Sequence, residues 1–436
     1  MKISFNREID LKYDVDVFIA GGGPAGAAAA VAAAENGASV FIAESFGAFG
    51  GAAVNALVPA FMQFTDGENF VADGIGRRVR DFIRENCPEK MKKYCPDSIP
   101  VETLKLCYDN MIESSGAKFA FFTDVIGTVV ENGSVKYAVC STKGSIYAVK
   151  AKIFIDCTGD GDMAAMSGAE YKTGDENGSV MAATLCALWT GIDWKRVVRP
   201  DSRKLDAAFK DGVFTNEDRH LPGIWPIGDD IGGSNAGHIY NVDGCDGNSL
   251  TKGMVEARKQ LLEYRRYYRN YLEGYENSEP VISASMLGIR ESRRITGGYI
   301  LNVDDFLNRA VFDDEIGRYC YPIDIHSAQN TKEGYEEYAK SFASLRYKKG
   351  ESYGIPYRSL TVKGISNMLT AGRCISTDRS MQASVRVMPG CFITGQAAGA
   401  AAAQAALTGT ACADIDIKRL QRSLKDLGAY LPNAVL

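Results

Sequence analysis

The sequence lacks a long apolar stretch. Across its 436 residues, no window approaches the run of about eighteen apolar residues that a membrane helix requires. Residues 1–14, MKISFNREIDLKYD, also lack the apolar core of a secretory signal. Internal repeats and low-complexity tracts are absent as well. We therefore expect a cytoplasmic globular protein. Its length favours two domains, because a single core seldom serves so long a chain.

An excess of positive charge is also lacking. The formal net charge is -5 and the isoelectric point is about 5.5. This balance argues against nucleic acid or an anionic membrane as the main partner. A short basic cluster, Lys90, Lys92 and Lys93, is interpreted as a solvated loop.

Paired cysteines are the third absence. The eleven cysteines are odd in number and none belongs to a CxxC pair. This pattern favours reduced thiols, most of them small core residues, over a disulfide framework or a zinc site. The densest group, Cys87, Cys95 and Cys107, does not supply the four thiolates of an iron-sulfur cluster. We expect no metal.

What the sequence does contain is a dinucleotide-binding pattern near its start. Residues 14–44 predict a buried strand, a glycine turn with Gly21, Gly23 and Gly26 in GxGxxG spacing, an alanine-rich helix and a second strand. The three glycines allow a tight turn, close approach of backbone to a pyrophosphate, and helix-to-strand packing. Pro24 suits the first helical turn, whose free amides face phosphate. Glu44 ends the second strand, where a carboxylate can accept both ribose hydroxyls.

Further glycine turns follow along the chain. Gly50 and Gly51 suggest backbone lying against a ligand, although a flexible loop would also show them. Residues 74–86 and 101–115 have helical apolar spacing. From residue 118, short β-rich runs separated by Asn132-Gly133 and Lys143-Gly144 predict an antiparallel meander. Its last strand leads into a second glycine turn at 158–162, and a strand near 368–371 leads into a third.

The amino-acid composition changes between residues 166 and 357. This segment is richer in Tyr, Arg and Asp, contains all three histidines, and includes an amphipathic helix at roughly 250–272. We expect an inserted α+β substrate domain at 166–357, with the cofactor domain assembled from 1–165 and 358–436. An alanine-rich helix after residue 394 is expected to begin at Gly395-Gln396-Ala397 and to point its amides at a ligand, although a core helix packed through small residues would also explain its composition.

In this order, the motifs resemble a known family. GGGPAG with Glu44, DCTGDGD at 156–162, NMLTAGRCIS at 367–376 and MPGCFITGQAAG at 388–399 are similar to FAD-dependent oxidoreductases of the glutathione-reductase-type flavoprotein superfamily. The segments GIRESRRI at 288–295 and YPIDIH at 321–326 resemble its bacterial branch related to the heterodisulfide reductase A subunit. The resemblance covers nearly the whole chain. It implies an α/β fold with a Rossmann-type, glutathione-reductase-like FAD domain.

The resemblance also implies which residues contact FAD. Gly21, Gly23, Pro24 and Ala25 would hold the pyrophosphate, and Glu44 the adenosine ribose. The remaining implied contacts are Gly50, Gly51 and Ala52 along the pyrophosphate and flavin, Val125 at adenine, Thr158, Gly159 and Asp160 on the adenosine side, Gly372 and Arg373 at the ribityl chain, and Gly395, Gln396 and Ala397 at the flavin pyrimidine. A helix dipole at the pyrimidine would stabilise the reduced ring.

The sequence departs from some relatives in two places. It has no second GxGxxG for a nicotinamide, and 46–52 has no histidine or cysteine where some relatives attach flavin. We therefore expect non-covalent FAD and an unidentified electron donor or acceptor.

Histidine is scarce, so each of the three can be weighed as a proton-transfer group beside the flavin. His326, which ends YPIDIH, is the first choice, although a hydrogen-bonded structural histidine would look alike. His238, in a glycine- and asparagine-rich loop, is the second, and His220 is interpreted as a surface loop residue.

Arginine is concentrated in GIRESRRI. In a helix or a strand, Arg290 and Arg294 share a face, so two guanidiniums can converge on a carboxylate or polyhydroxylated substrate. A structural salt-bridge network is the alternative. We expect hydride transfer between flavin and a small polar substrate, by hydroxyl oxidation or carbon-carbon (de)hydrogenation. The rival functions are a flavoprotein electron-transfer subunit and an NAD enzyme; the flavin-type motifs argue against the second.

Overall fold

The computed structural model describes residue 3 and residues 6–87, 97–198, 201–220, 223–328 and 331–435. The basic cluster of Lys90, Lys92 and Lys93, together with Cys95, lies outside the described residues.

The chain alternates strands and helices at both ends and is mixed in the middle. The strands are β1 Asp10–Ala20, β2 Val40–Ala43, β3 Lys118–Ala120, β4 Thr123–Glu131, β5 Ser134–Thr142, β6 Ser145–Asp156, β7 Tyr171–Thr173, β8 Ala187–Thr190, β9 Gly223–Pro226, β10 Gly232–Asn235, β11 Glu279–Ser283, β12 Arg293–Ile295, β13 Glu315–Tyr319, β14 Tyr353–Pro356, β15 Thr361–Val362 and β16 Ile365–Thr370. The α-helices are α1 Pro24–Glu35, α2 Gly51–Val54, α3 Ile75–Asn86, α4 Val101–Ser115, α5 Asp162–Met166, α6 Ser202–Lys210, α7 Gly247–Tyr271, α8 Val303–Leu307, α9 Lys332–Ser344, α10 Arg379–Val385, α11 Met388–Thr408 and α12 Ile417–Asp426.

A parallel sheet organises the two ends of the chain. Its strand order is β15-β16-β6-β1-β2-β3, with every neighbouring pair parallel except β15 and β16. The register places the last residues of four strands side by side: Ala20, Ala43, Asp156 and Thr370. The turns that follow these strands therefore leave from one edge. In open α/β sheets, ligands bind in the crevice outside the carboxyl ends of the strands.

Two alanine-rich helices, α1 and α11, pack against each other on this sheet. A β-carbon at Gly395 would overlap the carbonyl oxygen of Ala25, and one at Gly399 would overlap that of Ala29. Glycine is thus required here by the close approach of two helix backbones. Although these helices are apolar, no helix among the described residues is long and apolar enough to cross a membrane.

The predicted meander is confirmed. Strands β4, β5 and β6 pair antiparallel through turns at Asn132-Gly133 and Lys143-Gly144. The start of the predicted segment differs, since β3 pairs parallel with β2 at the edge of the main sheet. The predicted helices at 74–86, 101–115 and 250–272 correspond to α3, α4 and α7.

A second, antiparallel sheet has the order β11-β8-β10-β9. It packs with α6 and α7 around an aromatic cluster that is separate from the main core and includes Trp189, Tyr264, Tyr267 and Tyr268. The later strands β13 and β14 pair with each other and pack on α11, where a β-carbon at Gly317 would overlap Ile393. The boundaries at 166 and 357 remain a prediction.

Candidate active site

A cleft opens at the carboxyl edge of the parallel sheet, with an empty volume of about 1950 Å³ that includes space open to solvent. The lining residues come from every turn that leaves this edge and from the middle segment. Those predicted from the sequence are Gly21, Gly23, Pro24, Ala25, Glu44, Gly51, Ala52, Val125, Thr158, Gly159, Asp160, Arg290, His326, Gly372 and Arg373. One cleft therefore joins the predicted cofactor edge to two predicted substrate residues.

The first turn is shaped by its glycines. Gly21 has a φ of +90°, and a β-carbon there would lie 2.7 Å from the carbonyl oxygen of Cys157. A β-carbon at Gly26 would overlap the carbonyl oxygen of Gly21, so this glycine serves helix packing and does not line the cleft. Helix α1 begins after Gly23 without a side-chain cap. Its first amides are consequently available to an anion in the cleft.

Glu44 is buried at the end of β2 and lines the same cleft. Its carboxylate accepts hydrogen bonds from the amides of Gly22, at 2.6 Å, and Phe46, at 2.8 Å. Burial raises the pKa of Glu44, and the two backbone donors partly oppose this shift. The side chain is thus fixed in position beside the glycine turn.

The adjacent glycines of the next loop have different roles. Gly51 has a φ of +46°, and a β-carbon there would lie 3.0 Å from the Cα of Gly23. This contact brings two backbone segments together at the wall of the cleft. Gly50 donates its amide to the carbonyl oxygen of Gly22 at 2.8 Å and stands outside the lining.

Arg373 connects the second and third turns. Its guanidinium donates to the Asp160 carboxylate at 2.8 Å and to the Ser292 hydroxyl at 2.7 Å. Thr158 donates its hydroxyl to Asp156 at 2.7 Å. These bonds hold the turns at 158–160 and 372–373 against each other beside the cleft.

The prediction that a helix begins at Gly395 was wrong. Helix α11 begins at Met388, with Pro389 in its first turn, so Gly395, Gln396 and Ala397 lie inside the helix and away from the cleft. Gln396 instead accepts from the Ile75 amide at 3.1 Å and donates to the Asp73 carbonyl at 3.3 Å. The residues of this region that do reach the cleft are Arg386, Val387, Met388 and Cys391.

Arg290 is buried at the cleft and makes only neutral hydrogen bonds among those that the described residues show. Its guanidinium donates to the Ala182 carbonyl at 2.7 Å, the Thr184 hydroxyl at 2.8 Å and the Asn235 side-chain oxygen at 3.2 Å. Burial and the nearby charge of Arg386 lower its pKa. A buried cation held by neutral groups can complement an anionic ligand.

Arg294 does not join Arg290, contrary to prediction. It lies in β12 and donates to the Glu291 carboxylate at 2.7 Å and to the Gly174 carbonyl at 2.9 Å. Arg379 donates to the same carboxylate at 3.1 Å. The strand β12 covers only Arg293–Ile295. Arg290 lies outside it, so the strand periodicity that would place Arg290 and Arg294 on one face does not apply. Arg294 therefore belongs to a buried ion-pair network.

Arg386, which was not predicted from the sequence, also lines the cleft. Arg386 donates to the Asp324 carbonyl at 3.1 Å and approaches its carboxylate at 3.4 Å. Tyr321 and Tyr338 also donate to this carboxylate, at 3.2 and 3.1 Å. Burial opposes ionisation of Asp324, but the contact with His326 and the charges of Arg386 and Arg290 prevail, and the pKa of Asp324 is lowered.

The predicted histidines lie together. His238 Nε2 is 2.9 Å from His326 Nδ1, and both rings are buried. His326 Nε2 lies 3.3 Å from the Asp324 carboxylate, while His238 Nδ1 lies 3.0 Å from the Asp218 carboxylate. Burial and the charge of Arg290 lower the pKa of His326. His326 is therefore neutral at neutral pH and able to accept a proton.

His220 was predicted to be a surface loop residue, but it is partly buried. Its ring centroid lies 5.1 Å from that of His238 and 5.2 Å from that of His326. Burial lowers its pKa to about 4. All three histidines border one small cavity, and His326 lines the large cleft as well. No local sequence pattern around His220 or Asp218 predicts that the three histidines meet. Their contact depends on how residues 218–238 fold against His326.

A family model described as FAD dependent oxidoreductase matches residues 16–424. The chain belongs to this family. It is an FAD-dependent oxidoreductase, and the predictions of enzyme and cofactor are confirmed. No curated protein matches the sequence.

Three solved structures illustrate what this chain is similar to. A geranylgeranyl bacteriochlorophyll reductase-like protein from Thermoplasma acidophilum shares 13% identity, with coverage of 95% of this chain and 83% of that chain and a TM-score of 0.47. A flavin-dependent brominase shares 14% identity over 95% and 83% of the two chains, with a TM-score of 0.45. An aromatic hydroxylase from angucycline biosynthesis shares 10% identity over 95% and 66%, with a TM-score of 0.48. Likeness at this level does not identify the reaction of this chain.

Proposed function

We propose that this FAD-dependent oxidoreductase transfers hydride between non-covalently bound flavin and a small polar substrate that carries a carboxylate or hydroxyl group. The observation that carries the proposal is the shared cleft. Its walls include the glycine turns at the sheet edge and also the buried side chains of Arg290, Asp324 and His326. A cofactor on the turns and a substrate at Arg290 would lie in one enclosure.

The proposed cofactor contacts follow from the backbone. The uncapped start of α1 offers amides and a positive dipole end to the pyrophosphate, and Glu44 offers carboxylate oxygen to the adenosine ribose. A side chain at Gly23 would project into this space, where the nearest atom to its β-carbon position is the Gly51 Cα at 3.8 Å. When bound, FAD supplies a centre that accepts or donates a hydride.

The charge balance at the other end of the cleft supports an anionic or polyhydroxylated substrate. Among the lining residues, the charged groups that act on Arg290 include the guanidinium of Arg386 and the carboxylate of Asp324. Arg386 is in contact with Asp324, whereas Arg290 is held by oxygens of neutral groups. A substrate carboxylate would supply the anionic partner for Arg290.

His326 is the proposed proton acceptor. Hydroxyl oxidation needs a base that removes the hydroxyl proton as hydride leaves the neighbouring carbon. His326 is buried, lines the cleft and has a lowered pKa, so its ring nitrogen can accept that proton. In the reverse direction the same ring would return it.

A finer assignment of the fold also belongs to the proposal. We place the cofactor domain in the glutathione-reductase-like type, related to the heterodisulfide reductase A subunit. The parallel order β16-β6-β1-β2-β3 and the antiparallel excursion β4-β5-β6 support this placement. The segment from 166 to 357 would then supply the substrate side.

The test is a screen for bleaching of the bound flavin. The purified protein would be mixed anaerobically with 2-hydroxy acids, polyols and sugars, and the flavin absorbance followed. We expect hydroxy acids to bleach it. Each active acid would be compared with its amide, which lacks the charge that Arg290 would bind. Bleaching by a reduced redox protein, with no response to any small molecule, would contradict the proposal and favour an electron carrier.

A further inference from the structure

Four buried side chains form a continuous chain of contacts. Asp218 Oδ1 lies 3.0 Å from His238 Nδ1, His238 Nε2 lies 2.9 Å from His326 Nδ1, and His326 Nε2 lies 3.3 Å from Asp324 Oδ2. Each of the four is at least nine-tenths buried. Their protonation states are consequently set by one another rather than by solvent.

The three contacts between these four side chains need three protons. A neutral imidazole carries a single N–H. If both rings are neutral, they supply two protons to the three contacts, and one contact remains without a proton. The ring-to-ring contact needs one proton, so the two carboxylates compete for the other.

The other hydrogen-bond donors around Asp218 and Asp324 determine which carboxylate receives the imidazole N–H. Asp324 is already in contact with the guanidinium of Arg386 and accepts hydrogen bonds from the hydroxyls of Tyr321 and Tyr338. Asp218 has neutral donors besides His238: the His220 amide at 3.0 Å and the Tyr264 hydroxyl at 3.3 Å. Asp218 therefore gains more from an imidazole N–H than Asp324 does. Its contact is also the shorter of the two, at 3.0 Å against 3.3 Å.

We propose that Asp218 is a positioning residue that acts through His238 to keep the proton of His326 on Nδ1, which leaves Nε2 of His326 as the basic atom. Asp218 fixes the proton on His238 Nδ1. His238 Nε2 is then a hydrogen-bond acceptor, and its donor is the Nδ1–H group of His326. This assignment deepens the proposed function, and it rests on that function for the use of the Nε2 atom.

The chemical consequence concerns the next proton. When a substrate O–H bond breaks and its proton moves to Nε2, the ring becomes an imidazolium whose new N–H lies beside the Asp324 carboxylate. The positive charge created on the ring is met by the Asp324 carboxylate at 3.3 Å. The electron pair of the broken O–H bond would form the second bond of a carbonyl as hydride left the adjacent carbon for FAD, which would be reduced by two electrons, so protons and electrons balance.

Nuclear magnetic resonance of the ring nitrogens tests this assignment directly. The chain has only three histidines, so protein labelled with 15N-histidine gives six ring-nitrogen signals. Substitution of His220, His238 or His326 by Gln, one at a time, assigns them. In the flavin-loaded protein near neutral pH, we expect protonated Nδ1 and unprotonated Nε2 on both His238 and His326.

The decisive variant is Asp218→Asn. Its amide can donate to His238 Nδ1, so we expect both rings to shift to the Nε2–H form, with His326 donating to Asp324. Tyr264→Phe is the matched control, because it removes a hydroxyl from Asp218 but leaves its charge; here we expect the Nδ1–H form. In His238→Gln the new side-chain oxygen can still accept from His326 Nδ1, and the same form should persist.

The outcomes separate this inference from the proposed function. An Nε2–H proton on His326 in the unsubstituted protein would overturn the inference, even if Asp218→Asn failed to fold. Retention of the Nδ1–H form in a folded Asp218→Asn protein would overturn it as well. The proposed function fails separately, if His326→Gln turns over at the unsubstituted rate while the expected tautomers are observed.

Discussion

The rings of His238 and His326 meet at 2.9 Å between Nε2 and Nδ1, although 88 positions separate the two residues in the chain. This contact places a second imidazole and a second carboxylate behind the histidine that lines the cleft. It gives His326 a defined partner on Nδ1 while Asp324 lies beside Nε2. The account of proton transfer depends on this relationship.

Replacing His326 by Gln should leave flavin binding intact and slow reduction of the flavin by substrate. Without the imidazole no positioned base accepts the hydroxyl proton, and a loss of roughly 10²- to 10⁴-fold is expected. Stopped-flow absorbance with an acid that bleaches the flavin measures the rate. His220→Gln removes the neighbouring ring and serves as the control, with little change expected. Equal slowing in both variants would argue against a specific role for His326.

The two arginines of GIRESRRI should respond differently to the same substitution. Arg290→Lys removes a planar donor from the cleft, so kcat/KM should fall by roughly 10- to 100-fold, as expected for a hydrogen bond to a charged group worth about 1.5–3 kcal/mol. Arg294→Lys alters a buried ion pair and should lower the unfolding free energy while leaving KM unchanged. Steady-state kinetics and chemical denaturation distinguish them. A fall in kcat/KM of similar size in both variants would restore the prediction that both guanidiniums bind substrate.

Gly23→Val should abolish flavin binding, because its branched side chain would occupy the space beside the Gly51 backbone and the start of α1. The ratio of flavin to protein absorbance gives the occupancy, and nucleotide released by heat is identified by mass. Gly247→Val, at a helix start where a β-carbon has no neighbour within 4 Å, is the control. Retained yellow colour in Gly23→Val would contradict the placement of the pyrophosphate.

Ionisation of Asp218 should make the unfolding free energy fall as the pH is lowered. Burial opposes its ionisation, but His238 and the His220 amide lower its pKa from 3.8 to about 2. A lowered carboxyl pKa adds stability that is present above the unfolded pKa and is lost as the pH falls through the folded one. The shift corresponds to about 2 kcal/mol. Unfolding free energies of the unsubstituted protein and Asp218→Asn should therefore converge by this amount between about pH 5 and pH 2; parallel curves would contradict the assignment.

Local patterns in the sequence predicted several of the turns that the structure shows. Glycine spacing located the turn at 21–26, and Asn132-Gly133 and Lys143-Gly144 located the hairpins, because each depends on the conformations that a few neighbouring residues allow. The start of α11 was misplaced by seven residues. Pro389 marked it, since proline is favoured in the first helical turn. Gly395 is instead explained by the close approach of helix α1, which leaves no room for a β-carbon at this position.

The substrate end was harder to predict because it depends on long-range packing. The spacing of Arg290 and Arg294 was interpreted as one regular element, but only 293–295 is extended, and Arg294 pairs with Glu291. Arg386 and Asp218 carry no local signal for the cleft or the histidines. They reach these positions only when segments far apart in the chain fold together.

The proposed function requires one cleft to hold FAD on the glycine turns and to present its ring to Arg290 and His326. A crystal structure of the flavin-loaded protein tests this most directly. We predict the pyrophosphate at the start of α1, the adenosine ribose at Glu44, and the isoalloxazine ring within reach of the His326 imidazole. An isoalloxazine ring located outside this cleft, or separated from Arg290 and His326 by protein, would contradict the account.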